Sequence, residues 1–232
     1  PRTPSRRSLP PMRDFANLIT RLDETTSTDA KVAAIKAYFS AAPDEDAAWA
    51  LHFLAGGKLK RLIPAKRLRE WCVAATGIED WLFEASYSAV GDLAETVTLL
   101  IDAMTDRTEV CPDDVGLRAW VEDRILAMRD DSPAAQEARV LGWWRTRPRA
   151  ELLVFIKMLT GGLRIGVAKT IVERALAELA GLEKQDIAHR LMGDWSPTPA
   201  FYRAVIAPSP PPDHEASRPY PFFLASPNLP HD

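Results

Sequence analysis

The sequence predicts an all-α protein. Apolar residues recur at three- and four-residue spacing from Met12 to about Ala207, no stretch alternates apolar and polar residues between hairpin turns, and helix start and stop signals punctuate the chain. About a dozen helices joined by short connections follow from these observations.

Taken in order, "MRDFANLITRLDET" sets Phe15, Leu18, Ile19 and Leu22 on one helix face, and "AKVAAIKAYFS" does the same with Val32, Ile35 and Phe39. Pro43 and Asp44 precede "EDAAWALHFLA", Pro64 opens "AKRLREWCVAA", and Gly77 and Gly181 are placed to close helices. Ser132-Pro133 and Thr198-Pro199 each read as an N-cap followed by proline at the first helical position. Beyond Ala207 the run "PSPPPDHEASRPYPFFLASPNLP" is too rich in proline to continue a helix, and an extended linker is expected over residues 208–232. Within it "PYPFFLAS" is apolar enough to be expected to pack on something.

With 232 residues, 47% of them hydrophobic, the chain can bury a sizeable core. Its 29 basic and 32 acidic side chains leave a net charge of -3, so a polyanionic partner must be argued from where the cations sit. Cys72 and Cys111 form neither a C-x-x-C pair nor a Cys/His cluster, which argues against a disulfide framework or zinc site and fits a reducing cytoplasm. The longest apolar run, "ELLVFIKML", is short and broken by Lys157, so no membrane span is expected. The opening "PRTPSRRSLPP" lacks the apolar region of a secretory signal; residues 1–11 read as a vector remnant or disordered arm, with Met12 the native start.

Two stretches are alike. "LAGGKLKRLIPAKRLREW" (Leu54 to Trp71) and "LTGGLRIGVAKTIVERAL" (Leu159 to Leu176) share a Gly-Gly hinge, a mixed basic and apolar turn, and a helix carrying cations. Each is followed by a helix, a glycine, a short helix and a Gly-Asp turn, at Gly91-Asp92 and Gly193-Asp194. A spacing of roughly a hundred residues is too long for a solenoid unit and predicts duplicated halves, about 12–103 and 117–207, related by an approximate two-fold axis. The polar segment "MTDRTEVCPDDVG" between them is the internal boundary.

Successive glycines let another molecule approach the main chain, and free N–H groups at a helix start favour an anion. Around the first hinge lie Lys58, Lys60, Arg61, Lys66, Arg67 and Arg69; around the second lie Lys157, Arg164, Lys169 and Arg174. A single hinge of this kind reads equally as a helix cap with a solvated basic face. A repeated basic hinge matches a duplex phosphate backbone contacted on both sides of one groove.

"FIKMLTGGLRIGVAKTIVERALAEL" followed by "IAHRLMGDW" resembles the N-terminal DNA-binding domain of ATP-dependent DNA ligases, in which a Leu-x-Gly-x-Leu-Arg-x-Gly segment and a later Asp-containing turn recur. "YSAVGDLAET" is similar to that domain's Gly-Asp-Leu turn, and "SRPYPFFLASP" to the stretch leading into the adenylation domain of the bacterial branch. The resemblance covers the chain from Met12 onward. It implies an all-helical domain that binds nicked duplex DNA without sequence preference, through minor groove, phosphate and sugar, while a separate core seals the nick.

Carried over, it implies DNA contacts at Gly161, Gly162, Arg164 and Gly166, with Lys169 on the next helix. By the internal repeat, Gly56, Gly57, Lys58, Lys60 and Arg61, with Lys66 beyond them, form the partner loop. The first hinge departs from the pattern, having Lys-Arg-Leu-Ile-Pro where the second has Arg-Ile-Gly, and Pro64 offers no N–H. The ligase Lys-x-Asp-Gly nucleophile motif does not occur in the sequence. The expectation is therefore a fragment that is not itself an enzyme and binds no cofactor, from a parent ligase using ATP and a divalent metal such as magnesium. Its expected partners are DNA and the parent's adenylation and OB-fold domains; it is expected to be monomeric, cytoplasmic and nucleoid-associated.

Other residues carry weaker signals. Trp143 and Trp144 read as one core and one partly exposed side chain rather than base-stacking groups, and Arg145, Arg147 and Arg149 as a possible extension of the basic surface. Asp92 and Asp194 fit helix N-caps better than a pair of catalytic carboxylates, and His52 and His189 fit packing or surface roles. Two alternatives stay open: a helix–hairpin–helix glycosylase or lyase, with Asp186 its weak catalytic candidate, and a helical protein-interaction scaffold.

Overall fold

The start of the first helix already shows how the chain builds its core. In the computed structural model, which describes residues 12–104, 115–163 and 165–208, α1 (Met12–Glu24) buries Met12, Phe15, Ala16, Leu18, Ile19 and Leu22, the face its spacing predicts. α2 (Thr28–Ala41) buries Val32, Ile35 and Phe39 in the same way, and the Ser27 hydroxyl accepts the Ala30 N–H at its start. α3 (Asp44–Leu54) is different, because it is apolar all round from Ala47 to Leu51 and runs through the core. Its acidic first turn lies at the positive end of the helix dipole.

α4 (Ala65–Thr76) ends at Gly77 and α5 (Asp80–Val90) at Gly91, both left-handed. α6 (Leu93–Met104) starts at Asp92, whose carboxylate accepts the Glu95 N–H at 2.8 Å, as the Gly-Asp context predicts. The second half opens with α7 (Leu117–Ala119), which widens into a π-helical segment (Trp120–Ile125) and tightens into a 3-10 turn (Leu126–Asp130). α8 (Pro133–Thr146), α9 (Arg149–Leu159), α10 (Lys169–Ala180), α11 (Lys184–Arg190) and α12 (Pro199–Ile206) complete it. The Ser132-Pro133 and Thr198-Pro199 caps form as predicted, each hydroxyl accepting a backbone N–H three residues on. Asp194 does not cap α12; Thr198, one residue before the helix, holds that position. Every regular element among the described residues is helical.

The six glycines with positive φ fall into three matched pairs: Gly56 with Gly161, Gly77 with Gly181, and Gly91 with Gly193. This is the repeat expressed in backbone geometry. Matched helices are α3 with α9, α4 with α10, α5 with α11 and α6 with α12. They do not pack within their own halves alone: α3 packs on α12 and α9 on α6, α10 packs on α2 and α4 on α8, α3 on α7 and α9 on α1. These six contacts fall into three matched pairs. The two parts of the chain exchange partners and share one hydrophobic core, from Phe15 and Phe53 to Phe155 and Tyr202.

A buried carboxylate helps to fasten the exchange. Asp46, on α3, is 2% exposed, and its Oδ1 accepts the Arg118 N–H at 2.8 Å at the start of α7. A Cβ on Gly116 would lie 2.3 Å from the same carboxylate, so only glycine lets α7 begin there. Burial dominates over this hydrogen bond and pushes the Asp46 carboxyl up to about 6.

Candidate nucleic-acid interface

Both Gly-Gly hinges are helix C-terminal caps of the same design. At the end of α3 the Gly56 N–H donates to the Phe53 carbonyl (3.0 Å) and the Gly57 N–H to the His52 carbonyl (2.8 Å). At the end of α9 the Gly161 N–H donates to Met158 (3.1 Å) and the Gly162 N–H to Lys157 (2.8 Å). These paired bonds are a Schellman motif, in which left-handed Gly56 and Gly161 avoid the Cβ penalty. The glycines therefore end the preceding helices, and their amides are already engaged. An anion at the hinges would meet side-chain cations and glycine backbone rather than free glycine N–H groups.

The hinges touch each other. The N–H groups of Leu62 and Ile63, on the first hinge, both donate to the Leu159 carbonyl at the end of α9, at 3.0 and 3.3 Å. Arg61 Nε reaches the Thr160 carbonyl at 3.4 Å, and Gly161 lies so close that a Cβ there would stand 2.8 Å from the Leu59 carbonyl oxygen. Orphan carbonyls at one helix terminus are thus satisfied by the loop of the other half. Buried Ile63 and Leu163 anchor the two loops to the core.

The Gly-Asp turns join them crosswise. Asp92, from the first half, lies 3.7 Å from Lys157 at the second hinge. Trp195, just after Gly193-Asp194, stacks on Phe201 and meets the His52 ring edge-on at 5.8 Å beside the first hinge. His52 and Lys157 occupy matched positions on α3 and α9, so each hinge is buttressed by the turn of the opposite half. Burial lowers the His52 pKa.

The cations are distributed unevenly. Lys58, Lys60 and Arg61 are exposed on the first loop, and Lys66, in the first turn of α4, stands 3.9 Å from Glu70. Arg67 bonds Gln136 and Arg69 pairs with Asp80 and Glu84, which draws both toward the protein. At the second hinge Lys169 is exposed at the start of α10, with Nζ 3.4 Å from the Leu191 carbonyl. Arg174 pairs with Asp29 and Glu178, and Lys157 with Asp92, so neither is free to meet a ligand unchanged. The Gly166 carbonyl accepts from Lys31 Nζ at 2.9 Å, a tie to α2 that sequence spacing does not reveal. Arg164 lies outside the described residues.

The family described as DNA ligase N terminus matches residues 11–177, which take in both hinges, the first Gly-Asp turn and most of α10. The chain belongs to this family. No curated protein sequence matches it. In this DNA ligase N-terminal domain α11 and α12 lie beyond the matched span, yet they complete the fold, because α12 packs on α3 and α10.

Elsewhere in the domain Trp144 is buried and Trp143 half-buried against Trp120 and Phe155, as the sequence predicts. Asp186 is exposed on α11 rather than set in a base-sized pocket, which removes the residue on which the glycosylase alternative rested. Buried Cys72 has its thiol pushed up to about 12 by desolvation. Among the described residues no helix is long and apolar enough to cross a membrane. Cys111 and the "PYPFFLAS" stretch lie outside the described residues.

Proposed function

We propose that this domain binds duplex DNA, nicked duplex included, without sequence preference, for an ATP-dependent ligase whose catalytic core lies in other domains. The observation that carries the reading is the hinge-to-hinge junction. The two hinge loops, from opposite halves, meet through the Leu159 carbonyl; the first presents Lys58, Lys60 and Arg61, and Lys169 stands exposed at the start of the helix that follows the second. A surface with two-fold character suits a duplex, whose two strands are themselves related by local two-fold axes. Gly56, Gly57, Gly161, Gly162 and Gly166 would let the sugar–phosphate backbone approach closely, and the cations, Lys66 and Arg164 among them, would neutralise phosphates.

On this reading ATP and a divalent metal act at the parent's adenylation and OB-fold domains, and the domain contributes grip rather than chemistry. It acts as a monomer, in the cytoplasm, on nucleoid DNA in replication, repair or recombination. The test is fluorescence-anisotropy titration of nicked and intact duplexes of equal length across a salt series. Affinity should fall with salt at a log–log slope of about -3 to -4, as expected for three or four neutralised phosphates, and should barely depend on sequence. A slope near zero, or no binding at low salt, would overturn the reading.

A further inference from the structure

The first hinge lies against a side chain that carries no charge toward a ligand, yet fixes where its cations stand. The His52 ring lies flat against the Cα of Gly57: a Cβ there would sit 2.4 to 2.6 Å from ring atoms Cε1, Nε2 and Nδ1. Gly57 has no positive φ, so it is glycine because the imidazole occupies the space, not because the backbone demands it. The ring is held edge-on by Trp49 (5.6 Å) and Phe53 (5.5 Å) on its own helix and by Trp195 (5.8 Å) from the opposite half. The Gly57 N–H also donates to the His52 carbonyl at 2.8 Å, so ring and backbone of His52 both meet the residue that precedes the basic loop. Lys157, the matched residue on α9, is engaged instead by Asp92, so this arrangement is particular to the first hinge.

Resting on the DNA-binding reading above, we infer that His52 is the positioning residue of the first hinge: seated on Gly57 and walled by Trp195, it holds the Lys58–Arg61 loop where its cations meet the phosphate backbone. Three contacts converge on a ring with little room to move, and the loop it touches is otherwise exposed from Lys58 through Arg61 apart from half-buried Leu59. Losing the ring frees the loop's first peptide and lowers affinity through the cations, without removing any cation.

Two double-mutant cycles test this, read as duplex affinity by anisotropy at low salt. His52→Ala should weaken binding about fivefold in the wild-type background and by less than about twofold when Lys58 is already alanine, because residues that act through one another are not additive. Gly57→Ala, which drives a methyl into the ring, should cost affinity in the presence of His52 and much less in the His52→Ala background. His52→Leu removes the flat ring from Gly57 and keeps an apolar side chain at the position; it supplies the first cycle if the alanine variant fails to fold. A general loss of stability would give additive effects in both cycles, and additivity with intact wild-type binding overturns this role while leaving DNA binding in place. Wild-type protein that fails to bind any duplex overturns both.

Discussion

Replacing Gly161 with alanine strikes the junction on which the interface depends. Gly161 has φ +65°, where a non-glycine residue costs about 1 to 3 kcal/mol, and the new Cβ would stand 2.8 Å from the Leu59 carbonyl oxygen. That neighbour is backbone and cannot rotate away, so the loop must retreat and strain the two hydrogen bonds from Leu62 and Ile63 to Leu159, each worth about 1 kcal/mol. Together these terms predict a loss of about 3 kcal/mol, or a fall in Tm of about 6 to 12 °C for a domain of this size. Gly56→Ala is the internal control. Gly56 has φ +93° but nothing within 4 Å of a built Cβ, so that variant should lose only the conformational part, about 1 to 2 kcal/mol. Urea unfolding of both variants, with m-values compared, separates the terms. Equal losses at the two glycines would refute the contact between hinges.

Three further outcomes follow from single sites. The Asp46 carboxyl is held at about 6 in the folded state against an ordinary 3.8, so its contribution is fully present below about pH 4 and is lost as pH rises through 6. Wild type should therefore lose about 3 kcal/mol relative to Asp46→Asn between pH 4 and 7; a difference in urea midpoints that stays flat with pH would contradict the burial argument. Asp92→Ala should cost about 1 kcal/mol by uncapping α6, whereas Asp194→Ala, away from its helix's cap, should be near neutral; thermal melts distinguish them. Cys72 should resist alkylation at pH 8 until the protein is unfolded, which mass mapping of iodoacetamide adducts reads directly.

Much of the helical framework is legible locally. Phe15, Leu18, Ile19 and Leu22 mark their buried face by spacing alone, and Ser132-Pro133, Thr198-Pro199, Gly77 and Gly181 mark helix ends, because caps and periodicity are short-range physics. The repeat is legible too, but not its consequence. Nothing in two similar stretches says whether each half packs on itself or, as α3 on α12 and α9 on α6 do, on the other. The Asp46 cap on α7 joins residues 72 apart in the chain and leaves no local trace. At the site, the sequence locates both hinges and their cations and offers a helix cap as the reading of a single hinge, but it cannot show that the caps of α3 and α9 engage the glycine amides. It also cannot show that Asp29 and Glu178 engage Arg174 while Lys58 and Lys60 stay exposed.

The most direct test of the account is amide hydrogen exchange with and without nicked duplex at low salt. Both loops, residues 58–63 and 161–163, should slow together on addition of DNA, since they meet at the Leu159 junction. Protection of one loop alone, or of a helix face remote from both, would contradict the claim that the paired hinges are the DNA-binding surface.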